Sequence, residues 1–161
     1  MNPSAIQQHD VRSAPLPPMA ADPAAFVAKF ASFWAAPSAD RMVELLTEDV
    51  VLVQPLSPVT RGLAAGQAAF AQIFRWVPDM RAEVDDWCAR DARLFIDFRL
   101  MGSFGRRRVE WPAVDRISLR GSFASERISY FDPKPILQTV ATDPTAWLKA
   151  LRSGLWRSAL R

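Results

Sequence analysis

A chain of 161 residues, 50% of them hydrophobic, is long enough for one domain with a buried core and too apolar to be disordered throughout. A formal charge of +3 with one histidine and one cysteine excludes an internal disulfide and a cysteine-built metal site. It also argues against a histidine triad or a histidine-rich metal centre, because His9 sits in a Pro-, Ala- and Ser-rich leader.

In chain order, residues 1–21 read as a flexible leader, without the basic start and apolar core of a signal peptide. A cytoplasmic location follows as the expectation. Asp22-Pro23 offers an N-cap followed by proline at the first helical position, and Phe26, Val27, Phe30, Phe33 and Trp34 continue at helical spacing. "ADRMVELLTED" predicts a second, short helix and "VVLVQP" a strand ended by Pro55 and Pro58. A third helix runs from near Gly62 to Pro78. Four strands follow: "RAEVDDWCAR", "RLFIDFRLMGSF", "RRVEWPAVDRISL" and "FASERISYFD", with Gly102, Gly105 and Gly121 in or near the turns. Asp132-Pro133 closes the sheet, and Asp143-Pro144 opens a final helix with an apolar band of Trp147, Leu148, Leu151, Leu155 and Trp156. Packing on its own domain is the commonest fate of such a helix; a lid, a dimer contact and an interfacial membrane helix are the other readings.

Strands packed on segregated helices make an α+β domain. A curved, mostly antiparallel sheet wrapped around the N-terminal helices forms a cone with an apolar interior. This places the cone domain at 22–140 and a C-terminal amphipathic helix at 141–161. No apolar run approaches the ~20 residues that a membrane span needs, so none is expected. The basic residues Arg106, Arg107 and Arg108 follow "GSFG" and read as a hairpin turn rather than a nucleic-acid platform.

One residue breaks the apolar pattern. With a period of two, Trp111, Ala113, Asp115, Ile117 and Leu119 share a face, so Asp115 points into the cone. Loss of hydration raises the pKa of a buried carboxyl, and an uncharged acid donates a hydrogen bond to a carbonyl or enolate. The competing reading pairs Asp115 with an arginine, or with backbone donors, in a purely structural role. Gln54, beside it, either contacts a ligand or bonds the backbone next to Pro55. Phe30, Trp34, Phe70, Phe74, Phe98 and Trp111 form a ligand wall or simply core, and Tyr130 is a candidate for the rim. Asp97 and Arg99 fall on the outer face of the sheet, where a cross-subunit ion pair in a homodimer is expected. Cys88 reads as a small core residue.

The order of elements, "LLTEDVVLVQP", "RGLAAGQAAFAQIF" and "VDRISLRGSFASERISYFDP" resemble the nuclear transport factor 2-like superfamily, and within it the SnoaL-like branch. The resemblance covers residues 23–140. It implies a cone fold and relatives that include polyketide cyclases, ketosteroid isomerases and limonene-type epoxide hydrolases. Asp115 matches the isomerase aspartate that stays protonated and holds the substrate oxyanion, and is a counterpart of the cyclases' acid-base aspartate. Gln54-Pro55 stands where the isomerases carry their general-base aspartate, and Phe30 where they carry a tyrosine. Ser129 falls near the last-strand aspartate of the epoxide hydrolases. The expected function is therefore a cofactor-independent isomerase- or cyclase-type enzyme, with no metal, acting on a small hydrophobic carbonyl compound through Asp115. A ligand-binding protein without chemistry, or an interaction module of the same fold, are the alternatives.

Overall fold

The structure of the protein is a computed structural model that describes residues 22–91 and 93–153. The leader 1–21, with His9, lies outside them. So do Leu155 and Trp156, and the side chains of Trp147 and Leu151.

Helix α1 (Pro23–Ala35) starts where its cap predicts: the Asp22 carboxylate accepts from the Ala24 N–H at 3.0 Å. Phe26, Val27, Phe30, Phe33 and Trp34 bury one stripe of it against the sheet. The next segment departs from expectation. A 3-10 helix covers only Asp40–Glu44, and β1 runs from Leu46 to Val53, earlier than "VVLVQP". Pairing explains the change. The Leu45 carbonyl accepts from the Ala124 N–H at 2.7 Å, and Leu46 pairs with Ala124, so the sheet takes residues whose local preference is helical. A two-residue strand β2 (Thr60–Arg61) and α2 (Leu63–Trp76) follow.

Strands β3 (Arg81–Arg90), β4 (Arg93–Phe104), β5 (Arg107–Arg120) and β6 (Phe123–Tyr130) match the predicted runs closely. The sheet is curved, unclosed and mixed, in the order β2-β1-β6-β5-β4-β3. Among the described residues, only β1 and β6 pair in parallel. Leu94, Ile96, Phe98 and Leu100 turn inward on β4 and are buried, as strand parity requires. At Gly102 a Cβ would run into the Val77 side chain, so only glycine lets the end of α2 dock there.

The outer face carries the expected charges. Arg99 is met within the chain by Asp85 at 2.9 Å, Glu110 at 3.2 Å and Glu83 at 3.4 Å. Asp97 is exposed on the same side. Cys88 is exposed rather than part of the core, because it pairs with Phe95, which alternates with the inward Leu94 and Ile96 and so lies on the outer face of the sheet.

Two helices end the described chain where one was expected. Helix α3 (Lys134–Thr142) buries Ile136, Thr139 and Val140 at helical spacing, a signal that the flanking Pro133 and Pro135 obscure. Asp132 opens it by accepting from the Lys134 N–H at 2.9 Å. Helix α4 (Pro144–Ser153) is capped by Asp143, which accepts from the Thr145 N–H at 2.9 Å. The other Asp143 oxygen accepts from the Arg106 N–H at 2.9 Å, tying the helix to the two-residue β4–β5 turn. Those hydrogen bonds, the Arg106 amide first, hold the Asp143 carboxyl down at about 2. The Trp76 indole donates to the Ala146 carbonyl at 3.4 Å, so the first turn of α4 packs on its own domain. No helix among the described residues is long and apolar enough to cross a membrane.

Candidate functional site

The inward face of β5 is built as parity predicts. Trp111, Ala113 and Ile117 are buried, and Asp115 among them is 0% exposed. Its neighbours come from β6, where Ser129 pairs directly with Asp115 and Arg127 pairs with Ile117. Strict alternation from the buried Ala124 would instead turn Glu126, Ile128 and Tyr130 inward. A β-bulge reverses the phase: Ser118 pairs with Glu126 and Leu119 with Ala124, which leaves Ser125 unpaired. Beyond Ser125, Arg127 and Ser129 enter the cone.

Both carboxyl oxygens of Asp115 are engaged. Arg127 Nε donates to Oδ2 and Ser129 Oγ donates to Oδ1. Arg127 is itself only 9% exposed, and its guanidinium carbon lies 5.7 Å from the Trp34 ring centroid and 5.8 Å from that of Phe70. Those distances are within cation–π range. Burial pushes the Asp115 carboxyl up from the usual range, while the Arg127 charge and the hydrogen bonds from Arg127 and Ser129 pull against that push. A neutral acid would leave the guanidinium buried without its counter-ion, so the pair is a carboxylate with a guanidinium. Asp115, expected as a free donor, instead has both carboxyl oxygens engaged, by Arg127 and by Ser129.

Two cavities flank this pair. The larger, about 90 Å³, is lined by Trp34, Phe70, Trp111, Gln54, Arg127 and Ser129 among others. The smaller, about 30 Å³, is apolar apart from Arg127 and includes Phe30, Trp34 and Phe70. The loop after β1 forms a rim of the larger one through Gln54, Pro55, Leu56 and Ser57. Leu56 there holds φ at 64°, a left-handed backbone uncommon for a bulky residue. Gln54 donates from Nε2 to Ser57 Oγ at 3.3 Å.

The remaining predicted ligand contacts separate. Phe98 is 0% exposed, stacked on Trp34 at 6.4 Å and edge-on to Phe30 at 5.4 Å, so it belongs to the core. Phe74 packs on Trp34 and Phe70 without lining either of these cavities. Tyr130 pairs with Val114 on the outer face and is 52% exposed, so the rim position is corrected. The hydrophobic pattern gives no sign of Arg127 at the site, and Ser129 enters only through the resemblance, because the bulge that turns both inward leaves no mark in that pattern. Among the described residues, no three His, Cys, Asp or Glu groups are placed to hold a metal ion.

A family model described as a SnoaL-like domain matches residues 27–126. The chain belongs to the SnoaL-like domain family. Among solved structures, this SnoaL-like chain resembles a protein of Jannaschia sp. CCS1 assigned as a SnoaL-like polyketide cyclase. That match has TM-score 0.68 and 17% identity over 82% of this chain and 100% of that one. A protein of ketosteroid isomerase-like fold from Catenulispora acidiphila DSM 44928, in complex with trimethylamine, matches with TM-score 0.67 and 14% identity. There the coverage is 76% of this chain and 95% of that one. IdmH of Streptomyces antibioticus, assigned as a polyketide cyclase, matches with TM-score 0.61 and 18% identity, over 76% and 100% respectively. At such identities the likeness is one of fold. No curated protein matches the SnoaL-like chain.

Proposed function

We propose that this SnoaL-like domain binds a small, mainly apolar molecule through an oxygen atom held at Arg127. The observation that carries the reading is the mixed lining of the larger cavity. Trp34, Phe70 and Trp111 supply aromatic wall, while Arg127, Ser129 and Gln54 gather the polar groups. A carbonyl, enol or carboxylate oxygen is the natural partner of a guanidinium in such a place. The relatives assigned as polyketide cyclases are consistent with ligands of this kind.

Binding is favoured over turnover by the lining itself. Gln54, Ser57, Arg127 and Ser129 are its polar side chains among the described residues, and none is a base at neutral pH. The cyclase- or isomerase-type reading is supported by the upward push on Asp115, directly behind Arg127. In that reading Arg127 stabilises a developing enolate and Asp115 orients it.

Titration with 2-hydroxy-1,4-naphthoquinone, read by tryptophan fluorescence, tests the proposal. Saturable quenching is expected, because Trp34 and Trp111 line the cavity. The double variant Asp115→Leu/Arg127→Met, which removes the charge pair together, should weaken it at least about tenfold. Equal affinity in the double variant, or no saturable quenching in the native chain, sinks the reading.

The outer face supports a second element of the proposal, a homodimer of the chain. Val114 and Tyr130 are cross-strand partners there and are 37% and 52% exposed, while Arg99 is already neutralised within its own chain. Sedimentation of the native chain should give twice the mass of one chain, and Val114→Asp/Tyr130→Asp should give one. A native chain that sediments as a monomer at micromolar concentration removes the dimer.

A further inference from the structure

The cavity beside Arg127 measures about 90 Å³. A cavity of about 150 Å³ takes one benzene ring, and ordinary ligand sites run to about 300–1,000 Å³. A molecule with a ring and an oxygen therefore enters only if part of the wall gives way. The inner side is firm: Trp34 and Phe70, and Phe104 and Trp111, are buried and packed ring on ring. The weak side is the loop after β1. Leu56 is 56% exposed, and its φ of 64° costs a leucine stability. Among the described residues, the backbone of residues 55–58 makes no hydrogen bond to other backbone. Ser57 is tied by its hydroxyl to Gln54 at 3.3 Å. Segments with so few bonds open at little cost.

Across this loop lies an outer groove of about 400 Å³. Leu56, Ser57 and Ile73 line both hollows, so a single thickness of chain separates them. On the α2 side of the groove, Ala65, Ala68 and Ala69 present only methyl groups. On the loop side Val59 joins Leu56, and these two apolar side chains stand 54% and 56% exposed. Covering them removes apolar surface from water.

We propose that the inner cavity and the outer groove are two compartments of one site, which takes an elongated ligand, a flat ring system with an apolar tail. The ring lies beside Arg127, displacement of Leu56 and Ser57 joins the compartments, and the tail lies along Ala65, Ala68 and Ala69. This rests on the ligand-binding reading above and adds to it a second compartment and the shape of the ligand. The shared wall names the occupant: a molecule too large for the first hollow extends where the lining is continuous and the chain yields. The alanines set the specificity, because a larger side chain there fills the space that the tail needs.

The test compares 2-hydroxy-1,4-naphthoquinone with the same quinone carrying a 3-methylbut-2-enyl chain at carbon 3, both read by tryptophan quenching. In the native chain the tailed quinone should bind at least about tenfold more tightly, from the five carbons it covers. Ala68 is exposed, so Ala68→Phe places a ring in the groove without entering the core. It should cut the ratio of the two affinities to below about twofold, and the ratio cancels any general loss of binding. The native chain gives a separate reading that needs no variant. Val59 and Ala68 line the groove and not the inner cavity, so their amide resonances should move on saturation with the tailed quinone and stay nearly still with the bare one. If the bare quinone binds and the tail adds nothing, or adds affinity that Ala68→Phe leaves intact while both resonances stay still, the inference is overturned and the binding reading stands. If the bare quinone fails to quench the native chain, both are overturned.

Discussion

Asp115→Ala is expected to lower the stability of the domain by about 3–5 kcal/mol, the largest electrostatic loss available in this fold. The reason is what the substitution leaves behind. Arg127 would keep a full charge at 9% exposure with its counter-ion gone, and Ser129 would lose the acceptor of its hydroxyl. The faces of Trp34 and Phe70 offer the guanidinium some compensation, worth less than a paired carboxylate. Replacing both partners is a different experiment. Asp115→Leu/Arg127→Met removes the two desolvated charges together and fills the space with apolar atoms, so most of the loss should be regained. Urea midpoints at an unchanged slope measure both variants. A single substitution that costs less than about 1 kcal/mol, or a double variant equal to the sum of the two singles, contradicts a buried ion pair at this site.

Phe98→Ala is expected to cost a similar amount, about 3–5 kcal/mol, for an unrelated reason. Phe98 is fully enclosed, stacked on Trp34 and edge-on to Phe30, at the point where the first helix meets β4. Deleting the ring leaves a hole that these two neighbours cannot close without leaving their own contacts. Tyr130→Ala provides the contrast, since an exposed outer-face side chain should change stability by no more than about 0.5 kcal/mol. Both residues carry aromatic rings that the sequence offers to a ligand site, Phe98 as wall or core and Tyr130 at the rim. A midpoint for Phe98→Ala close to that of Tyr130→Ala would show that the core does not run through Phe98.

Much of the architecture is written locally. Asp22-Pro23 states where the first helix begins, and the Asp22 carboxylate does cap it. The alternation of Leu94, Ile96, Phe98 and Leu100 states which side of the fourth strand faces the helices. The same rule puts Asp115 inside. These features rest on neighbours within a turn or a strand, so their physics is visible in a short window of residues. The 3-10 turn at Asp40–Glu44 and the early start of the first strand are different. Leu46 leaves a helical pattern because Ala124, far along the chain, offers it a partner.

The site divides in the same way. By itself, the sequence determines an α+β cone with a carboxyl on its apolar side, since that needs only helix caps, turn glycines and a period of two. What that carboxyl does was decided by tertiary structure. One unpaired residue, Ser125, reverses the phase of the last strand and brings Arg127 and Ser129 in place of Glu126 and Tyr130. A bulge follows from how three strands register against one another, and that balance of long-range pairings leaves no trace in the local order of residues. It converts a lone acid into the partner of a buried guanidinium.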